Sequence, residues 1–214
     1  MASKTEICNM AISHLGQGQE ISNVDTERTA EALACRRFYD IALASTLRDV
    51  DWPFARKTSF LGLIETFSSS TSEWTYSYRY PSDCVRIRRI KSTLRNDSRQ
   101  SRVSYNIYQD DVSRIIYTDA ENAEAIYTKS VEDPSFYTPS FTLALSFRLA
   151  GLVAPRITKG DPFGMRKSAL DMYDLEISRA KASSFNEEQS DEEVDSEFVR
   201  SRGGYNNEEY DDHC

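Results

Sequence analysis

Thr26–Ala55, TERTAEALACRRFYDIALASTLRDVDWPFA, reads as one long helix with a hard stop. Apolar or small residues recur at Ala30, Leu33, Ala34, Phe38, Ile41, Ala44 and Leu47. Steps of three and four are the spacing of a single buried helix face. Glu27, Arg28, Glu31, Arg36, Arg37, Asp40 and Arg48 fill the other faces. Ser22, Asn23 and Asp25 offer side-chain oxygens to the first unpaired amides. Pro53 has no amide hydrogen and disfavours a helical residue before it, so the helix is expected to end near Asp51. Trp52 and Phe54 flank the stop, where large rings wedge a helix end against another element. Trp52, Pro53 and Phe54 are therefore expected to be structural.

Working outward, a first helix is expected from Ser3 to Leu15, with Ile7, Met10, Ala11 and Leu15 on one face and Gly16-Gln17-Gly18 ending it. Beyond Thr58 the pattern changes to period two. Thr58 to Ile64 reads as a strand, and Trp74, Tyr76, Tyr78 and Tyr80 alternate with Thr75, Ser77 and Arg79 as a strand with an aromatic face, a core face or, alternatively, a base-stacking platform. Val85 and Ile87 begin another, in which Ile90 is out of phase and signals a bulge or a strand end. Val103–Tyr108, Arg114–Thr118 and Ala125–Thr128 are three more. Helical spacing returns from Ser140 to Ala154, stopped by Pro155, and again from Asp161 to Ser183 with Pro162 in its first turn. The predicted fold is α+β: an antiparallel bundle of about four helices (1–57 and 138–183), an inserted antiparallel β-domain of five or six strands in a meander or small barrel (58–137), and an extended acidic tail (184–214).

The net charge of −8 belongs to that tail. Residues 185–214 hold eleven of the 34 carboxylates and two of the 26 Lys and Arg, a balance of −9 that leaves +1 for the rest. Whole-chain acidity thus says little about the partners of the body. The tail has the composition of a segment that orders on a partner, with Phe185, Val194, Phe198, Val199, Tyr205 and Tyr210 as anchors. No apolar run reaches the ~20 residues of a membrane span, and the N-terminus has no apolar h-region, so neither a membrane anchor nor a secretory signal is expected.

Catalytic signals are sparse. The four cysteines are scattered and the two histidines, His14 and His213, have no partner signature, so buried thiols are expected and neither metal nor cofactor. No phosphate-binding glycine loop is present. Arg86, Arg88, Arg89, Lys91, Arg95, Arg99 and Arg102 form a basic cluster opposed by Asp97. It has three readings: a DNA-phosphate contact, a solvated strand edge protected by charge, or a surface for an acidic subunit such as the tail of a neighbouring copy.

Several stretches resemble one family in order. Ala11-Ile12-Ser13-His14-Leu15-Gly16 with Ile21, the helix carrying Phe38-Tyr39-Asp40, the Trp52-Pro53-Phe54-Ala55 stop, Tyr78-Arg79-Tyr80-Pro81-Ser82-Asp83-Cys84-Val85-Arg86, and the helix Phe141–Ala154 are similar to the motifs of phage head-to-tail adaptors, the tail tubular protein A type of short-tailed bacteriophages. The resemblance covers residues 4–182, and nothing in the family matches Ser184–Cys214. It implies a non-enzymatic virion protein in the portal-proximal tail, assembled in the host cytoplasm. It further implies a homo-oligomeric ring, commonly of twelve copies, between portal protein and tail nozzle protein. Fibres attach near such rings in related phages, and DNA passes through the central channel without sequence-specific binding. Two other classes stay open: a cell-wall-degrading tail enzyme, on the abundance of carboxylates, and a DNA-binding module using Arg86–Arg102.

Overall fold

The computed structural model describes residues 3–67, 73–91, 103–110, 113–161 and 163–187. It is an α+β protein with four helices and two antiparallel sheets among those residues. The helices are α1 (Lys4–His14), α2 (Ala30–Asp49), α3 (Pro139–Ile157) and α4 (Met165–Glu187). Between α2 and α3 lie the strands β1 (Arg56–Phe60), β2 (Leu63–Thr66), β3 (Tyr76–Arg79), β4 (Cys84–Lys91), β5 (Tyr105–Gln109), β6 (Arg114–Thr118) and β7 (Glu124–Lys129).

α1 starts on a reciprocal cap. The Glu6 amide donates to Ser3 Oγ at 3.1 Å and the Ser3 amide to the Glu6 carboxylate at 3.3 Å, which satisfies two otherwise orphaned donors. α2 starts four residues later than its sequence suggests, at Ala30, capped by Thr29, whose side chain accepts from the Ala32 amide. The proposed caps are used otherwise. Asn23 Oδ1 accepts from the Asp25 and Thr26 amides, closing a turn. Arg36 donates back to the carbonyls of Val24 and Glu27. These bonds hold the lead-in chain against the helix and keep it from joining it.

The buried face of α2 is also rotated from the expected one. It consists of Ala32, Ala34, Cys35, Tyr39, Ala42, Leu43, Thr46 and Leu47, whereas Leu33 and Ile41 are exposed. Small side chains at Ala32, Cys35 and Ala42 suit close approach to neighbouring helices. The stop is as expected: Val50 is extended and Pro53–Ala55 forms a single 3-10 turn.

α3 packs against α1, α2 and α4. It has the length and apolar composition of a membrane span, although most of it is buried within the protein. Pro155 does not stop it. The helix continues to Ile157 and closes where the Thr158 amide donates to Ala154. Pro155 forfeits one backbone bond, in the last turn, while Val153 and Ala154 remain fully buried. α4 likewise runs to Glu187, four residues into the segment expected to be extended. Between Met165 and Glu187 there is neither Pro nor Gly to break it.

Gly151 sets the α3–α4 spacing. A Cβ there would lie 2.8 Å from Leu170 Cδ2 and 3.0 Å from its Cγ. Gly151→Ala is expected to destabilise the protein by about 1 kcal/mol, overpacking of roughly 1–3 outweighing the helix-propensity gain of about 1. In a Leu170→Ala background the same change should become neutral or stabilising. Denaturant melts of the double-mutant cycle check this, and a Gly151→Ala single variant that gains stability would show that Leu170 yields freely.

Among the described residues the strands form neither the expected meander nor a small barrel. They make two sheets, ordered β1-β7-β4 and β2-β3-β6-β5. The expected strand Thr58–Ile64 is split at Leu61-Gly62, with β1 in the first sheet and β2 in the second. Side chains from both sheets share one core, containing Tyr78 and Ile116 from one and Ile87, Ile90 and Tyr127 from the other. A larger core joins the helices through Ile7, Leu47, Phe141, Leu145, Leu149 and Tyr173. At its edge Phe141 meets Trp52 at 4.9 Å, Phe54 at 5.0 Å and Tyr137 at 4.7 Å between ring centroids.

Candidate functional site

Among the described residues, Arg48, Arg86, Arg88 and Arg114 converge beside the end of α2, and bulges in β4 re-aim two of them. Cys84 pairs with Lys129 and Arg86 with Thr128; Ile87 pairs with Tyr127 and Arg89 with Ile126. Val85 and Arg88 are therefore the extra residues of two irregularities, which re-aim the side chains beside them. The out-of-phase Ile90 is the sequence trace of this shift.

Arg88 turns toward the end of α2. Its Nε donates to Thr128 Oγ1 at 2.8 Å and its Nη2 to the Leu47 carbonyl at 3.1 Å and to the Val50 carbonyl. Arg86 Nη1 donates to the Arg48 carbonyl at 3.1 Å. Two cations thus cap carbonyls that the helix end leaves without amide partners, where the helix dipole is negative. Asp51 stands nearby, 2.9 Å from Arg56 Nη2 and 3.9 Å from Arg88 Nε. Burial pulls the pKa of Arg88 down from its ordinary value, with Asp51 opposing.

Beside this cap is a cleft of about 640 Å³. Arg48, Arg86, Arg88 and Arg114 supply its charge, Tyr80 and Tyr105 its rings, and Val85, Ile87 and Ile107 an apolar wall. No carboxylate lines it among the described residues. The Arg114 guanidinium lies 5.6 Å from the centre of the Tyr80 ring, a cation–π distance. Burial pushes the Tyr80 hydroxyl up to about 12, so the ring stays neutral near pH 7. Chemically, the cleft suits carboxylate or phosphate groups.

Of the basic residues singled out in the sequence, Arg86 and Arg88 reach this cleft. Arg89 is exposed and Lys91 half-buried on β4, and neither lines it. Arg95, Arg99 and Arg102 lie outside the described residues, as do Phe198, Val199, Tyr205 and Tyr210. Phe185 falls within α4. Arg48 and Arg114, which sequence reading assigned to a polar helix face and a strand start, complete the charge. Only the β3–β6 pairing, with Arg79 opposite Ile115, brings Arg114 beside Tyr80.

The motif residues have structural partners. Asp83 accepts from Lys57 Nζ at 2.7 Å and from the Tyr127 hydroxyl at 2.9 Å, and Lys57 holds its carboxyl below the usual range. Tyr78 donates its hydroxyl to the Ala120 carbonyl at 2.8 Å, and its ring belongs to the sheet core.

His14 Nε2 lies 3.0 Å from Ser146 Oγ, which resembles a base beside a nucleophile. Ser146 is fully buried, however, and donates its own proton to the Leu143 carbonyl at 2.7 Å. Its oxygen can therefore only accept from His14, whose ring stacks on Phe147 at 4.0 Å. Burial lowers the His14 pKa. The pair is packing rather than an activated hydroxyl. Cys8 and Cys35 are buried and Cys84 half-buried, all as free thiols. Among the described residues no group of three His, Cys, Asp or Glu side chains is placed to hold a metal ion.

A second feature is an outward aromatic face of the four-stranded sheet. Phe67 stacks on Tyr117 at 5.9 Å and Tyr108 meets Tyr117 edge-on at 5.3 Å, with Trp74 and Ile64 alongside.

No protein-family model matches the chain, and a comparison with curated proteins finds no match either.

Proposed function

We propose that this protein is a structural virion component, a head-to-tail adaptor whose copies form a ring between portal and tail nozzle. In this reading the four helices are an antiparallel bundle and residues 58–137 an inserted β-domain. The observation that carries the reading is the ordered motif resemblance, together with where its residues sit. Trp52 and Phe54 pack on Phe141, and Asp83 ties β1 to β7 through Lys57 and Tyr127. These motif residues thus hold the end of α2 against α3 and brace the β1-β7-β4 sheet, while Tyr80, Val85 and Arg86 of the same motif line the arginine cleft.

Exposed apolar side chains add support. Leu33 and Ile41 on α2, Phe60, Leu63 and Ile64 on β1 and β2, and Met172 and Leu175 on α4 all face outward. β2 is exposed along its whole length at the edge of its sheet. Faces of this kind suit permanent contacts between copies and with other virion proteins.

The test is assembly. Negative-stain images of virus lacking this protein are expected to show DNA-filled heads that leak or carry no tails. Normal, infectious tails in its absence would end the adaptor reading.

A further inference from the structure

We propose that the arginine cleft is the docking socket for the chain's own acidic segment, residues 188–199. The proposal does not depend on the adaptor reading; it rests on charge, reach and the shape of the cleft. Arg48 and Arg114 form no ion pair among the described residues, and Arg86 donates only to a backbone carbonyl. Unneutralised guanidiniums in a concave site with apolar walls concentrate positive potential there.

The matching charge is on the same chain. Glu187, Glu188, Asp191, Glu192, Glu193, Asp195 and Glu197 follow one another with no Lys or Arg between them, and Phe198-Val199 come next. The carboxylates match the guanidinium forks. Phe198 and Val199 match the wall of Val85, Ile87 and Ile107 and the Tyr105 ring.

Reach is also sufficient. Tyr173 of α4 donates its hydroxyl to Asp49 at 2.7 Å, next to Arg48 at the rim of the cleft. From Tyr173 to Glu187 the helix advances about 21 Å at ~1.5 Å per residue. Twelve further residues extend up to ~40 Å at ~3.3 Å each, enough to return to Arg48. Tethering holds the segment near millimolar effective concentration. A half-open cleft of about 640 Å³ takes a few peptide side chains, whereas a duplex needs an extended track of charge.

The test is amide hydrogen exchange of the full-length chain. Amides 188–199 are expected to exchange about fivefold or more slowly at ~20 mM salt and to lose that protection at ~500 mM, where the Debye length is a few ångströms. The R48E/R114E variant is expected to release the segment at low salt while the amides of α2 and β6 keep their protection, which separates release from the modest destabilisation caused by an acid at the C-terminal end of α2 and by loss of the Arg114–Tyr80 contact. Adding Glu192→Arg and Glu193→Arg to that variant should restore protection. Unprotected amides in the wild type at low salt would overturn the proposal, as would protection that survives R48E/R114E. Protection that appears only as the chain self-associates would assign the socket to a second copy's segment and overturn it too. So would a labelled 20-base-pair duplex whose binding is lost in R48E/R114E while the exchange pattern stays unchanged.

Discussion

Replacing Trp52 by alanine is expected to lower the unfolding free energy by about 3–5 kcal/mol, the range for removing a buried aromatic from a packed core. Trp52 is 3% exposed at the end of α2. Its ring meets Phe141 edge-on at 4.9 Å and leans on Phe54 at 6.3 Å. Its Nε1 donates to the Thr46 carbonyl at 2.9 Å within the last turn of α2. Truncation therefore removes the wedge that fixes where α2 ends, opens a cavity beside Phe141 and loses that hydrogen bond. Trp52→Phe keeps most of the ring and should cost far less, about 1–2 kcal/mol from the lost hydrogen bond and partial void. For a chain of this size the alanine variant should melt roughly 6–20 °C lower. Denaturant and thermal melts read both variants, and a shift below about 1 kcal/mol for Trp52→Ala would show that the helix end is held by something else.

That prediction starts from the part of the fold most legible in sequence. Pro53 and its flanking rings mark the end of α2 because proline's chemistry is local, and the Trp74–Tyr80 alternation marks β3, although the strand spans only Tyr76–Arg79 and Trp74 lies with Phe67, Tyr108 and Tyr117 instead of in the sheet core. The phase slip at Ile90 reports a real irregularity of β4. The buried face of α2 was not legible. In a helix rich in alanine several stripes satisfy the same spacing, and reading for bulk selects Leu33 and Ile41. The fold instead buries the small stripe of Ala32, Cys35 and Ala42, leaving Leu33 and Ile41 outside. The split at Leu61-Gly62 and the partition into two sheets depend on long-range pairings such as β1 with β7, which no local pattern encodes. Half of the cleft's charge was hidden for that reason. Arg48 and Arg114 are 66 positions apart and meet only through the end of α2 and the β3–β6 register. The basic run around Arg86 was visible, but its two described cleft residues have different work. Arg86 is exposed, and Arg88 is committed to the backbone of α2.

Arg88→Ala tests that division, with an expected loss of about 2–4 kcal/mol from buried acceptors left without donors. The Arg88 side chain is 14% exposed. It serves the Leu47 and Val50 carbonyls at the helix end and the hydroxyl of Thr128, which is fully buried on β7. One guanidinium thereby joins α2 to both β4 and β7. Removing it leaves two C-terminal carbonyls facing the negative end of the helix dipole without a cation. Arg88→Lys keeps the charge but cannot reproduce the forked geometry, so an intermediate loss is expected. Arg86→Ala, at an exposed position, should change stability by no more than about 0.5 kcal/mol. Because the Arg88 bonds are buried, its deficit should persist at ~0.5 M salt, where exposed charge contacts are largely screened. Urea melts of the three variants at low and high salt separate these cases. An Arg88→Ala variant that melts with the wild type would mean that Arg88 is free to bind an external anion and that α2 is capped without it.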